Sequence, residues 1–167
     1  MTPHPPKPAD PRLRELVLTI LWGYREHVPG SLFLQKLAFL CIFEIPELRD
    51  LKGLAGYRAR QFGPFSVAVR IALQELETQG LVVVATVRSD RFNKDLIGLT
   101  PKGLETAREI AGGMNVGLLA EIERKCRGAK QLGYAGILRY VYSHYENYAE
   151  ESEIRDEVFE SFGRYSH

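Results

Sequence analysis

Residues 61–103, QFGPFSVAVRIALQELETQGLVVVATVRSDRFNKDLIGLTPKG, place a turn, an amphipathic helix, a β-branched run, a charged tip and a second short apolar run in unbroken order. Gly63-Pro64 ends one element and opens another, because glycine adopts backbone angles that other residues avoid and proline is best accepted in a helix's first turn. Ser66 stands there as a cap or first-turn residue. Val69, Ala72, Leu73 and Leu76 recur at three- and four-residue steps, which predicts a helix over residues 64–79 that Gly80 stops. Residues 81–87 are rich in valine and too short for a typical helix, residues 88–95 are polar and turn-prone, and residues 96–99 return to apolar character, so the three read as a hairpin with a basic tip. Thr100 then caps a further helix whose first position is Pro101.

Upstream, Leu13, Leu16, Val17, Ile20, Leu21 and Tyr24 form one helical stripe within residues 12–27, and Pro29-Gly30 ends it. Ser31 is the expected N-cap of a second helix, residues 32–44, that is apolar around most of its circumference and belongs at the centre of the core. Only Gln35, Lys36 and Glu44 are expected to look outward from it. Residues 46–56 read as a loop with a helical turn, and residues 57–61 as a short strand able to pair with the hairpin. Downstream, residues 104–111 close the unit and Gly112-Gly113 reads as a hinge. Two more helices follow, over residues 116–126 and 133–148. The fold class is therefore mainly α with a small β-hairpin (α+β), divided into a proline-rich disordered arm (1–11), a main domain (12–112) and a helical C-terminal extension (113–167).

Tyr134, Tyr140, Tyr142, Tyr145 and Tyr148 crowd that extension. Five buried phenols are hard to satisfy and tyrosine is favoured at interfaces, so the stripe reads either as core or as a dimer or partner surface. Residues 146–160 carry seven acids against the single Arg155, a run that is either a solvated face or a partner for basic groups elsewhere in the chain.

The chain has 22 basic and 21 acidic residues, but they are segregated. Residues 57–103 hold Arg58, Arg60, Arg70, Arg88, Arg91, Lys94 and Lys102 against four acids, whereas residues 104–167 hold eleven acids against eight bases. Such a distribution gives one face a positive field and suits a phosphate backbone approached from one side. No apolar run reaches the roughly 18 residues of a membrane span, so no membrane association is expected and the location is expected to be cytoplasmic. Cys41 and Cys126, 85 positions apart, read as buried thiols in a reducing compartment. The four histidines are dispersed, and no Cys-x-x-Cys, His-x-x-x-His or glycine-rich phosphate loop accompanies them. The sequence therefore predicts no enzyme, no metal and no cofactor.

The stretches Leu34 to Leu40 (LQKLAFL), Gln61 to Ser66 (QFGPFS), Leu73 to Leu81 and Leu99 to Gly103 (LTPKG) together resemble prokaryotic winged-helix regulators. The QKLAFL and FGPFS pair is similar to the Panacea (SocA-like) antitoxin group. The resemblance covers residues 30–103 and implies a winged helix-turn-helix with a regulatory role, through operator binding or through a toxin or protease adaptor.

In a winged helix on double-stranded DNA the second helix of the motif enters the major groove while the hairpin lies along the backbone or in the minor groove. Ser66, Arg70 and Gln74, one turn apart on the side opposite Leu73 and Leu76, are the candidate base readers; the alternative is ordinary solvated polar residues. Arg88, Arg91, Asn93 and Lys94 are the wing's candidate phosphate contacts. Arg58 and Arg60 share one face of the short strand, for a phosphate or for a salt bridge to the acidic tail. Val67 and Ile71 place apolar groups on the outer side of the same helix. The expectation is a homodimeric DNA-binding transcriptional regulator. In the alternative, a protein-binding antitoxin or adaptor module, Val67, Ile71, Tyr134, Tyr140, Tyr142 and Tyr145 form the partner interface.

Overall fold

Asp10 and Pro11 start the first helix, the Asp10 carboxylate accepting from the Arg12 amide at 2.9 Å and Pro11 taking the position where a missing N–H costs nothing. The computed structural model describes residues 7–88, 90 and 93–148. Residues 1–6 of the expected arm lie outside the described set, as does the acidic run beyond residue 148. Residues 7–10 are docked, in contrast to the expected disorder: Ala9 is buried, and its amide donates to Glu75 Oε1 while Arg14 donates to its carbonyl.

The chain is mainly helical with two small antiparallel sheets. Helix α1 (Pro11–Tyr24) buries Leu13, Leu16, Val17, Ile20, Leu21 and Tyr24. Arg25 leaves it in a left-handed conformation, and Val28 then exchanges two backbone hydrogen bonds with Ile97, at 2.8 and 2.9 Å. Helix α2 (Ser31–Glu44) follows with Gly30, at φ 108°, in the cap position assigned to Ser31 by the sequence; Ser31 is the first helical residue. It has no polar face to speak of and is buried from Phe33 to Ile42. A single turn at Pro46–Leu48 and the short helix α3 (Leu51–Ala55) lead into strand β1 (Arg58–Arg60).

β1 does not join the long hairpin, as its sequence suggested. It pairs with β2 (Gly63–Phe65), Arg58 opposite Phe65 and Arg60 opposite Gly63. Pro64 is thus a strand residue, and helix α4 (Val67–Thr78) begins three residues later than its proline signalled. The physical reason is that proline is as acceptable in a two-stranded edge as in a helix's first turn, and the Ser66 side chain caps α4 by accepting from the Val69 amide at 3.0 Å.

Strands β3 (Val82–Arg88) and β4 (Asn93–Leu99) make the expected hairpin, in register from Val82 opposite Leu99 to Arg88 opposite Asn93. Its base is tied to the helices on either side. Gly80, at φ 74°, ends α4; its carbonyl accepts from the Thr100 hydroxyl, and Thr100 also caps α5 (Pro101–Gly113) through the Gly103 amide. Gly103 is required by proximity, since a Cβ there would lie 1.8 Å from the Leu81 carbonyl oxygen. Gly103→Ala is therefore expected to cost about 2 kcal/mol of stability in chemical denaturation, as overpacking against an unyielding backbone does; an unchanged midpoint would show that α5 slides freely along β3.

α5 runs through Gly112-Gly113, where a hinge was expected. Helix α6 (Val116–His144) is broken at Gly133, whose φ of 70° and ψ of 178° are not helical, close to the expected helix boundary. Rather than standing apart as an extension, α6 contributes Ile122, Cys126, Ile137, Leu138, Val141 and Tyr142 to the same hydrophobic core as α1 and α2. Burial pushes the Cys126 thiol up to about 12, in keeping with an inert core cysteine.

Candidate nucleic-acid interface

Helix α4 holds its apolar side, Val69, Ala72, Leu73 and Leu76, against the core and leaves Arg70 and Gln74 exposed one turn apart. Ser66, expected beside them as a base reader, is fully buried. Its hydroxyl donates to the Ala55 carbonyl at 2.5 Å and accepts from Val69, and both its backbone groups are engaged by the Gln35 side chain, Nε2 donating to the Ser66 carbonyl and Oε1 accepting from its amide, each at 2.9 Å. Gln35 is thus a strut between α2 and the start of α4, not an outward-facing residue.

Lys36, also expected to look outward, is fully buried, and its ammonium has no hydrogen-bond partner among the described residues. Burial lowers its pKa from 10.5 to about 8. The backbone of the β1–β2 hairpin closes over its stem at Gly63, where a Cβ would lie 3.3 Å from Lys36 Cε and 3.2 Å from Tyr142 Cε1.

Arg58 and Arg60 lie exposed on one face of β1, as period-two alternation predicted, with the Arg60 guanidinium 5.6 Å above the Phe65 ring. Arg60 and Arg70 line one cavity, and Arg58 and Arg60 another. On the long hairpin Arg88 and Lys94 are exposed near the tip, on opposite strands. Arg91 and the Asn93 side chain lie outside the described residues. Among the described residues none of Arg58, Arg60, Arg70, Arg88 and Lys94 makes an ion pair, whereas Arg12, Arg14, Arg25, Lys125 and Lys130 are tied to Asp50, Glu75, Glu123, Glu44 and Glu26.

The tyrosines that read either as core or as a partner surface are half-buried or buried. Tyr142 is buried. Tyr140 and Tyr145 each donate to Glu44 Oε2 at 2.8 Å, and Lys125 binds the other carboxylate oxygen. Tyr145 and Tyr148 set their rings edge-on to Phe39 at 5.0 and 5.1 Å. Tyr134 is half-buried, and burial pushes its phenol up to about 12. One carboxylate at the end of α2 therefore satisfies two phenols at once, a solution invisible in residue spacing.

Burial pushes the Glu44 carboxyl up, but the Lys125 ammonium and the two phenols outweigh it and hold it below the usual carboxylate value. A lowered carboxyl stabilises the fold above its unfolded pKa, and that contribution is lost as pH falls through the folded value. Glu44→Gln is accordingly expected to flatten the acid limb of a stability profile below about pH 5 relative to the native chain, read by urea unfolding; parallel profiles would mean the carboxylate is not held in its ionised form.

Val67 is exposed and Ile71 half-buried. With Leu54 and Ala68 they border a cavity of about 490 Å3 whose other wall is the docked segment Lys7 to Asp10. No helix among the described residues is long and apolar enough to cross a membrane. No protein-family model matches the chain, and no curated protein matches it significantly.

Proposed function

We propose that this chain is a winged-helix, DNA-binding transcriptional regulator without catalytic activity, acting as a homodimer, with α2 and α4 as the helix-turn-helix and β3–β4 as the wing. The order α1, Val28, α2, α4, β3, β4, α5 supports the architecture, Val28 serving as the short third strand beside β4. In this reading α3 and the β1–β2 hairpin are an insertion between the two helices of the motif.

The observation that carries the reading is the set of exposed cations that have no carboxylate partner among the described residues on β1, α4 and the hairpin, while the cations of α1 and α6 named above are neutralised. Arg70 and Gln74 are the base readers, since a guanidinium takes guanine bidentately and a glutamine amide takes adenine. Arg58, Arg60, Arg88 and Lys94 are phosphate contacts.

A gel shift with genomic fragments at two ionic strengths is the direct test. Arg70→Ala is expected to weaken one preferred sequence by about 1–3 kcal/mol and others little. Arg88→Ala combined with Lys94→Ala weakens all sequences alike and lowers the salt slope by about two. A double variant whose salt dependence matches the native chain's would remove the wing from the interface.

A second reading is favoured by the apolar surface at Leu54, Val67 and Ile71: a protein-binding antitoxin or adaptor module. Ile71→Asp separates the two. Loss of a defined protein partner from a chain that binds no duplex would select the second.

A further inference from the structure

A cavity of about 200 Å3 lies between α2, the turn of the β1–β2 hairpin and the first turns of α4. Lys36, Arg60 and Arg70 contribute to its wall, with Gln61, Leu32 and Phe65 beside them, and no carboxylate among the described residues lines it. The other buried polar side chains, Thr19, Gln35 and Ser66, have their hydrogen bonds made inside the chain. Lys36 is the exception, an ammonium removed from water with no acceptor among the described residues. Buried charges are ordinarily paired, and here a buried ammonium stands beside two guanidiniums that make no ion pair among the described residues.

We propose that this cavity is a binding site for a phosphate-type oxyanion, with Lys36 as the buried counter-charge and Arg60 and Arg70 as the clamp at its exposed rim.

Charge chooses the ligand class. Three cations leave a single carboxylate under-charged, whereas a phosphate monoester carries close to two negative charges near neutral pH and three acceptor oxygens. Guanidinium forks match those oxygens two at a time, and the flexible four-carbon stem lets the ammonium swing the short distance to a third. Size limits the ligand further. The cavity falls below the roughly 300–1,000 Å3 of pockets that enclose whole drug-sized molecules, so it takes the phosphate group and the atoms next to it, not a complete nucleotide. The site shares Arg60 and Arg70 with the proposed DNA interface, so a phosphate held here and a base read by Arg70 are alternative states of the same side chains, while Lys36 belongs to this site alone.

The test follows thermal unfolding of the full chain in inorganic phosphate against sodium chloride at matched ionic strength. Tens of millimolar phosphate are expected to raise the Tm by about 3 °C beyond chloride. Lys36→Met should abolish that excess, and Arg60→Ala or Arg70→Ala should reduce it. Because removing a buried unpaired charge does not endanger folding, the Lys36 variant is informative. No excess in the native chain, or an undiminished excess in Lys36→Met, overturns the proposal. Duplex then identifies the source: a DNA affinity lowered alike for all sequences in Lys36→Met assigns the site to a backbone phosphate, and a DNA affinity unchanged in Lys36→Met, or a chain that binds phosphate and no duplex at all, assigns it to a small free phosphate.

Discussion

Replacing Gln35 by leucine is expected to destabilise the protein by about 4 kcal/mol, from two orphaned backbone groups at roughly 1–3 kcal/mol each. The amide spans from the middle of α2 to Ser66, where β2 ends and α4 begins, and makes two 2.9 Å hydrogen bonds to the Ser66 amide and carbonyl. Leucine matches the volume but offers neither donor nor acceptor, and the site is too buried for water to replace them. Gln35→Glu is the finer probe, because a carboxylate can still accept from the Ser66 amide but cannot donate to its carbonyl. Chemical denaturation of both variants reads the effect. A loss below about 1 kcal/mol for Gln35→Leu would mean that the two Ser66 groups find other partners. The consequence reaches the proposed interface, since α4 is positioned by this strut at the end that carries Arg70.

Lys36→Met should do the opposite. It is expected to raise stability at pH 7 by about 3 kcal/mol, because a pKa lowered from 10.5 to about 8 corresponds to about 1.4 kcal/mol for each unit. Below pH 8 the lysine is charged in both folded and unfolded chains, and the folded chain bears the full cost of burying it. Between pH 8 and 10.5 the unfolded chain binds more protons than the folded one, so the native protein's stability rises and the advantage of methionine shrinks. Above pH 10 the tyrosines reverse the trend. Burial and the Glu44 carboxylate hold the phenol of Tyr140 up at about 12, so deprotonation then favours the unfolded chain. Urea unfolding of both proteins at pH 7 and 9.5, in a buffer free of phosphate, reads the difference. A methionine variant less stable than the native chain at pH 7 would show that the ammonium is favourably partnered.

Gln35 and Lys36 also show what residue type alone does not decide. Helix α2 was recognised as apolar on nearly every side and therefore central. That same property buries its polar residues too, because a helix surrounded by core has no outward face. Gln35 and Lys36 were nevertheless assigned to solvent by residue type. The signal was present in the helix that contains them, and it outweighs the habit of placing amides and ammonium groups outside.

The tyrosine stripe, left open between core and partner surface, could not be resolved from spacing for a different reason. Five phenols in one segment looked too many to satisfy internally, yet Glu44, some 100 positions away, accepts from two of them and Phe39 receives the edges of two rings. Nothing in local spacing connects Glu44 with Tyr140 and Tyr145. Ser66 was ambiguous for a related cause: its capping role was legible, but capping alone does not tell whether the residue faces solvent.

By itself the chain determined the elements whose chemistry is local. Gly80 ends α4 by accepting a left-handed backbone, Thr100 and Pro101 start α5, the valine run pairs across a polar tip, and alternate arginines share a face of β1. Tertiary structure alone decided what depends on distant partners: that Val28 pairs with Ile97, that α6 joins the main core, and that Lys36 is enclosed beside Arg60 and Arg70. Turns and caps are settled by a few neighbouring residues, whereas strand partners and buried charges are settled by whichever surfaces the completed core brings together.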